Sequence, residues 1–278
     1  MNPTQPSQWP RLTIVTPSLN QGATIEQTIQ SVLDQGYPNL EYFVMDGGST
    51  DDTVAILRRY DAHLHWRSEP DAGQAQAINK GLRQASGDLL AYINADDYYL
   101  PGAFQIIAIT HRQAPQLGLI YGDCLAVWQD GREKGLIRGR PYDLRRIIRR
   151  GDFVPQQAAF WTRAAMQQAG WFDESLHLAL DYDYFIRLGQ VAPAGYISHT
   201  LACFRFTPNT KSATQEARHW RETLAVSQRH GLRPWMAWYW LRRLRHYGLR
   251  ALPAPLQSHL RRRLNRPQDA TLTPDQAA

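Results

Sequence analysis

Two acidic clusters each close an apolar run, and this arrangement constrains the fold more than any other feature of the chain. Leu89-Leu90-Ala91-Tyr92-Ile93 ends in Asn94-Ala95-Asp96-Asp97, and Leu40-Glu41-Tyr42-Phe43-Val44-Met45 ends in Asp46-Gly47-Gly48-Ser49-Thr50-Asp51. In an open α/β sheet, ligands occupy the crevice beyond the carboxyl ends of the strands. Carboxylates at such tips predict a site for a hard cation, Mg2+ or Mn2+, completed by the phosphate oxygens of a nucleotide.

Apolar runs and helical periodicity alternate through the first hundred residues. Leu12-Thr13-Ile14-Val15-Thr16 reads as a buried strand, stopped by Pro17 and the polar turn Ser18-Leu19-Asn20-Gln21-Gly22. Ile25, Ile29, Val32 and Leu33 fall at helical spacing within Thr24 to Gln35, with Thr24 as cap and Gly36-Tyr37-Pro38 as stop. After the strand Leu40 to Met45, Ser49 or Thr50 caps a helix through Val54, Leu57 and Tyr60. His63 to Arg67 is a short extended stretch, Gln74 to Gln84 a helix and Leu89 to Ile93 a strand. Strands alternating with helices pair in parallel through right-handed crossovers, so this half is a nucleotide-binding α/β layer.

The second half is less regular. Ala103 to Gln113 is helical, Leu119 to Asp123 a strand, and Leu125 to Trp128 with Glu133 to Ile137 a hairpin around Asp130-Gly131. Short helices follow at Thr162 to Ala169 and Asp181 to Leu188.

A chain of 278 residues with 43% hydrophobic content can bury one sizeable core and carry a small appendage. Cys124 and Cys203 show no CxxC or CxxH spacing, which argues against a disulfide framework or a zinc site and suits a reducing compartment. Met1 to Pro10 lacks the apolar core of a secretory signal, and no run approaches the roughly 20 apolar residues of a membrane span. The expected location is cytoplasmic, with any membrane contact peripheral.

The net charge of +6 is unevenly spread. Between Ala217 and Pro267, twelve arginines meet one acid, Glu222, giving a local +11 that leaves −5 on the remainder. This asymmetry argues against a nucleic-acid groove across the protein and for an acidic partner of the C-terminal segment.

Five blocks in order resemble the family 2 glycosyltransferases over about residues 11 to 210. They are Thr16-Pro17-Ser18-Leu19-Asn20-Gln21, Val44 to Thr53, Asp71 to Gly81, Asn94-Ala95-Asp96-Asp97, and Trp171 to Leu176 leading to Leu180-Asp181-Tyr182-Asp183. The resemblance implies a GT-A-type α/β domain over 11–212, with a Rossmann-like nucleotide-binding half and a mixed-sheet acceptor half. Residues 1–10 are then a disordered lead-in, 213–267 a helical Arg/Trp-rich extension and 268–278 a disordered tail. The implied activity is transfer of a sugar from a nucleotide-sugar donor to an acceptor hydroxyl.

The same resemblance assigns roles. Pro17, Ser18, Asn20 and Asp46 hold the nucleotide, with Asp46 accepting a hydrogen bond from a ring N–H such as that of uracil. Asp71 and Gln74 lie beside ribose and donor sugar, and Asp71 is also suited to cap the helix that follows. Asn94-Ala95-Asp96-Asp97 occupies the family's DxD position with Asn for the first acid, so Asp96 and Asp97 are the metal ligands and Asn94 a partner for a ribose hydroxyl. Asp181 falls where the family keeps its catalytic base, with Leu180 in place of the usual acid before it and Asp183 in reserve. Gln156 or Gln157 is expected on the acceptor side. Arg205, Lys211 and Ser212 belong to a polar loop whose charges read individually as solvated.

Pro234 to Tyr247 packs three Trp and two Tyr beside an Arg cluster, and Arg261-Arg262-Arg263 follows. Two readings of this tail stand. Indole rings and Arg suit an anionic membrane surface, which would hold the protein at the cytosolic face of the inner membrane near lipid-linked acceptors. Alternatively Trp238, Leu241 and Leu244 pack on the catalytic domain while Arg faces water. Nucleic acid ranks below both.

The expectation is therefore an inverting, metal-dependent glycosyltransferase. It takes an NDP-sugar, with UDP the first candidate, and acts on a glycan or lipid-linked acceptor in cell-surface polysaccharide synthesis. A sugar nucleotidyltransferase is disfavoured because no early Gly-rich loop with Arg and Lys serves a triphosphate. A Rossmann dehydrogenase is disfavoured because no GxGxxG follows the first strand. A non-catalytic nucleotide-sugar-binding scaffold at the membrane is the competing class, motivated by Asn94, Leu180 and the tail.

Overall fold

Strand β1 (Leu12–Ser18) consists of seven consecutive buried residues, the pattern of a strand covered on both faces. Its side chains alternate between two cores. Leu12 and Ile14 join Tyr42, Val44, Leu89 and Ala91 on one side, whereas Val15 joins Phe43, Met45, Leu90 and Tyr92 on the other. The first core is covered by α1 (Ile25–Leu33), α2 (Thr53–Arg59) and α4 (Ala103–Gln113), through Ile29, Leu57 and Phe104 among others. The second is covered by α3 (Gln74–Gln84), α5 (Leu144–Arg150), α6 (Arg163–Ala169) and α7 (Leu180–Val191). Each fully buried Ile, Leu or Phe contributes roughly 1.5–3 kcal/mol, so both faces are held by burial. Helix α3 approaches β1 so closely that a Cβ on Gly81 would sit 2.6 Å from Val15 Cγ1.

The computed structural model describes residues 9–206 and 214–233, with 235–237, 239–241, 244 and 248 beyond them. The expected lead-in falls outside the described residues except for Trp9 and Pro10, as do Lys211, Ser212, Trp238 and the segment 249–278.

The sheet runs β3 (His65–Ser68), β2 (Leu40–Asp46), β1, β4 (Leu89–Tyr92), β8 (Ala159–Thr162), β6 (Leu119–Trp128), β9 (Ala194–Phe206), β5 (Tyr98–Tyr99), with β7 (Glu133–Ile137) on β6. The first four strands are mutually parallel. Strand β8 is antiparallel to both β4 and β6, while β9 is parallel to β6. A parallel nucleotide-type half and a mixed half thus share one sheet, as the sequence implies.

Several elements differ from the sequence expectation. The strand expected at Leu119 to Asp123 continues without a break to Trp128, because β9 pairs along nearly its whole length. Strand β9 itself is unpredicted, since its first half is partly exposed and Ser198, His199 and Thr200 hide the alternation. Helix α5 is also unpredicted, and the Asp143 carboxylate caps it by accepting from Arg146 N–H at 2.9 Å. Neither Ser49 nor Thr50 caps α2; Asp51 accepts from Thr53 N–H at 3.0 Å instead.

Chain contacts gather into one unit through Gly231 and a second from Leu232 onward. The first includes helix α8 (Glu216–Arg229), which the sequence assigns to the extension. Glu222 on α8 accepts from the N–H groups of His177 and Leu178 at 3.0 and 2.7 Å. In the second unit Trp235, Trp240, Leu241 and Leu244 are exposed. Among the described residues no helix is long and apolar enough to cross a membrane.

Candidate active site

Parallel register brings the carboxyl ends of β2, β1 and β4 to one edge. Ser18 lies opposite Asp46, and Val15 opposite Tyr92, two residues before Asn94. Pro17 is a buried strand residue beside Met45. The Ser18 hydroxyl is buried without a hydrogen-bond partner among the described residues, so it retains its capacity for a ligand.

Asp46 is 2% exposed and largely committed to its own loop. Its Oδ2 accepts from the N–H groups of Gly48 and Ser49 at 3.1 and 2.8 Å and from the Ser68 hydroxyl at 2.6 Å, while Oδ1 accepts from the Ser49 hydroxyl at 2.5 Å. Asp46 therefore closes the turn after β2, and Oδ1 is the oxygen with acceptor capacity left for a ring N–H. Asn20 is a loop tie: at φ 53° its Oδ1 accepts from Thr50 N–H at 2.9 Å, and its own N–H donates to the Ser49 hydroxyl at 2.7 Å.

Asp71 lies against this loop. A Cβ on Gly47 would stand 2.8 Å from Asp71 Oδ2, so glycine admits the carboxylate. Asp71 Oδ1 accepts from Gly73 N–H at 2.8 Å, and Gly73, with φ 128°, holds the cap position of α3 that the sequence offers to Asp71.

The acidic turn after β4 is held from below by α1. Thr24, expected to cap that helix, donates its hydroxyl to the Ala95 carbonyl at 2.9 Å, and Thr28 donates to the Asp97 carbonyl at 2.7 Å. Asp97 is 1% exposed and points inward. Its carboxylate accepts from Arg205 N–H at 3.0 Å, Gln157 Nε2 at 3.0 Å and Asn94 Nδ2 at 3.2 Å. Burial, and then the neighbouring Asp96, push the Asp97 carboxyl up to about 8 despite these donors. Both oxygens of Asp97, expected as a metal ligand, already accept from protein N–H groups.

Asn94 is equally engaged, accepting from Gln74 Nε2 at 2.6 Å and donating to Gln156 Oε1 at 3.3 Å. Gln156 also donates to the Tyr92 carbonyl at 2.8 Å. Gln156 and Gln157, expected on the acceptor side, are buried braces of the acidic turn. Arg205, expected as a solvated loop charge, is a buried member of β9 whose Nε donates to the Asp96 carbonyl at 3.0 Å and whose Nη2 donates to Gln27.

Asp96 remains the half-buried carboxylate of this turn. Among the described residues no group of three or more His, Cys, Asp or Glu is disposed to hold a metal ion. Were a cation held at this turn, Asp96 could supply a protein carboxylate and substrate phosphates most of the remaining ligands, as Mg2+ commonly takes them.

Asp181 opens α7, accepting from Tyr182 N–H at 2.8 Å. Loss of hydration holds its carboxyl above the usual range, against the lowering effects of that N–H and of His219 on α8. The buried Tyr92 hydroxyl, itself raised by burial, feels the charges of Asp181, Asp152 and Asp97. Asp181 and the inward-facing Asp97 thus both act on the tyrosine that ends β4. Asp183 leaves the reserve list, because it is 1% exposed and ion-paired to Arg187 Nε at 2.8 Å and His230 Nε2 at 2.9 Å.

A cavity of about 330 Å³ lined by Arg11, Glu41, Asp61 and His63 lies at the amino ends of β1 to β3, opposite this edge. It shares no residue with the acidic turn.

A parallel strand edge with an acidic turn, joined to a mixed half carrying a second carboxylate, defines the GT-A class of sugar-transfer fold. The mannosyltransferase PcManGT of Pyrobaculum calidifontis, in complex with GDP-Man and Mn2+, superposes with a TM-score of 0.63 at 21% identity, covering 94% of this chain and 81% of that one. TarS 1–349 of Staphylococcus aureus, in complex with UDP, gives 0.59 at 19% identity, covering 78% of this chain and 65% of that one, so this chain spans just under two thirds of it. An uncharacterized glycosyltransferase of Mycobacterium tuberculosis is 32% identical over 189 residues, 66% of this chain and 70% of that protein. The glycosyl transferase family 2 model matches residues 13–161, and the chain belongs to that family. It is a glycosyltransferase with a GT-A fold.

Proposed function

We propose that the protein is an inverting, metal-dependent transferase. It moves a sugar from a nucleotide sugar, with UDP the first candidate, to a hydroxyl of a glycan or lipid-linked acceptor in surface-polysaccharide synthesis. The observation that carries this reading is the strand edge where Ser18 pairs with Asp46 and Asp71 lies against the Asp46 turn, with Asp181 acting on Tyr92 at the end of β4. On the nucleotide side, the unpartnered Ser18 hydroxyl and the Asp46 Oδ1 acceptor suit a base and ribose. Asp71 and Gln74 stand between that pocket and the acidic turn.

Asp181 takes the proton of the acceptor hydroxyl as its oxygen bonds the anomeric carbon from the face opposite the diphosphate. The bond from that carbon to the phosphate oxygen breaks, and its electron pair leaves with the nucleoside diphosphate. General-base help of this kind is worth typically 10²–10⁴-fold. When bound, the cation neutralises charge on the departing diphosphate, with Asp96 as its protein ligand. Site and partner are proposed as cytoplasmic, with the Arg- and Trp-rich C-terminal segment meeting anionic lipid at the cytosolic face of the inner membrane.

A thermal-shift panel of nucleotide sugars with and without Mn2+ tests the reading. One UDP-sugar should raise the melting temperature with the logarithm of one plus its concentration over Kd, and Mn2+ should enlarge the shift. No stabilisation by any nucleotide sugar overturns it.

A further inference from the structure

Helix α8 ties down the chain on both sides of Asp181. Ahead of Asp181, a single carboxylate oxygen, Glu222 Oε2, accepts the N–H groups of His177 and Leu178 at 3.0 and 2.7 Å. Behind it, the Ser227 hydroxyl meets the Tyr182 hydroxyl at 2.8 Å, and His230, the residue after α8, places its Nε2 2.9 Å from Asp183 Oδ1. Arg229 Nη1 donates to Asp173 Oδ2 at 2.6 Å, earlier in the same segment. Glu222 belongs to no motif in the sequence, so nothing local marks it.

These ties act on different parts of α7. The body of the helix is held by burial, since Leu180, Tyr184, Phe185, Ile186 and Leu188 all lie in the core. The entry to the helix is held more weakly. Leu176 and Ala179 reach the core, but His177 is exposed and Leu178 half-buried. Ala179, at the N-cap, offers no side-chain oxygen, and Asp181 itself accepts from Tyr182 N–H. Glu222 supplies the missing acceptor from a neighbouring helix. Its other oxygen, Oε1, accepts from Arg218 Nε at 2.9 Å, and only 14% of its side chain is exposed. Burial would raise the Glu222 carboxyl, but the N–H groups of Leu178 and His177 and the Arg218 guanidinium outweigh it and hold it below the usual range.

We propose that Glu222 is a positioning residue for the acceptor step: by holding the two N–H groups at the entry to α7, it fixes the direction from which the Asp181 carboxylate meets the acceptor hydroxyl. This assignment rests on Asp181 as the base and names the group that aims it. Glu222 makes no bond to substrate. A reacting group misplaced by about 1 Å can cost about 100-fold in rate. Donor binding, by contrast, draws on Ser18 and Asp46 of other elements and does not depend on Glu222. Reach rather than charge is what the role requires, because both N–H groups meet one oxygen. In Glu222→Gln the amide oxygen still accepts both; in Glu222→Asp the charge stays but falls one methylene short.

The test is sugar transfer to water, read as nucleoside diphosphate released, with Mn2+, from the nucleotide sugar that stabilises the protein most in the thermal-shift panel. Calorimetry on the same samples gives the donor Kd and the number of folded sites. Glu222→Ala and Glu222→Asp should each lose about tenfold or more in rate per folded site at unchanged donor Kd, and Glu222→Gln should regain most of that loss. In an Asp181→Asn background, Glu222→Ala should cost nothing further, because a group that cannot take the proton has no aim to lose. An undiminished rate per folded site in Glu222→Ala, a loss as large in Glu222→Gln, a donor Kd that weakens in step with the rate, or an equal further loss in the Asp181→Asn background overturns the proposal. If Glu222→Ala does not fold, Glu222→Asp against Glu222→Gln decides. Failure of the base reading shows separately, as an undiminished rate in Asp181→Asn with Glu222 intact.

Discussion

Arg205 donates its backbone N–H to the Asp97 carboxylate at 3.0 Å, joining the last residues of β9 to the acidic turn after β4. The two residues are 108 positions apart, so the turn that carries Asp96 is finished by the far end of the sheet. Asp97 is the post on which Asp96 stands.

Asp97→Ala should therefore destabilise the fold by about 3 kcal/mol, since it leaves Arg205 N–H, Gln157 and Asn94 with unpaired buried donors. Urea unfolding of the variant should show a lower midpoint with an unchanged slope. Equal stability would mean that the turn is held by α1 alone.

Asp181→Asn should lower turnover by 10²-fold or more while retaining nucleotide-sugar binding. In the wild type the Asp181 carboxyl lies above the usual range, so it is protonated and useless as a base on the acid side of that raised value. Activity should rise with pH through a limb lying above the ordinary carboxylate value. A pH–rate profile with its acid limb near 4 would contradict this, 3.9 being the reference value for a free Asp.

Asp183 should act on stability rather than chemistry. Burial would raise its carboxyl, but His230 and Arg187 outweigh burial and hold it below the usual range. A lowered folded-state value stabilises the protein above the unfolded-state value, and that contribution is lost as pH falls through the folded-state value. Denaturant midpoints measured from pH 5 down to pH 2 should fall more steeply for wild type than for Asp183→Asn. At pH 7 Asp183→Ala should cost about 3 kcal/mol, the scale of breaking one partner out of a buried ion pair.

Gly47→Ala should push Asp71 aside, because the new Cβ would meet its Oδ2 at 2.8 Å. If Asp71 contacts the donor, steady-state kinetics should give a higher donor KM with kcat little changed. An unchanged KM would detach Asp71 from donor binding.

The parallel half was legible in the sequence because burial on both faces writes a continuous apolar run, as in Leu12 to Thr16 and Leu89 to Ile93. Helix α3 and the hairpin about Asp130-Gly131 were legible for equally local reasons: helical spacing and a turn dipeptide. Strand β9 was not, because its partners β6 and β5 lie far away in sequence and exposure of its first half masks the period. The Asp97 and Arg205 roles failed for the same reason, since a carboxylate at a strand end looks identical in sequence whether it faces the crevice or the core.

The sequence by itself determined which residues are available at the strand tips, since period, turn chemistry and residue type are local properties. Only the tertiary structure decided the direction each carboxylate faces: Asp97 inward onto β9, Asp46 into its own turn, and Asp183 onto Arg187 and His230. The physical reason is that a buried charge goes where N–H donors or cations meet it, and here most of those partners come from distant segments of the chain.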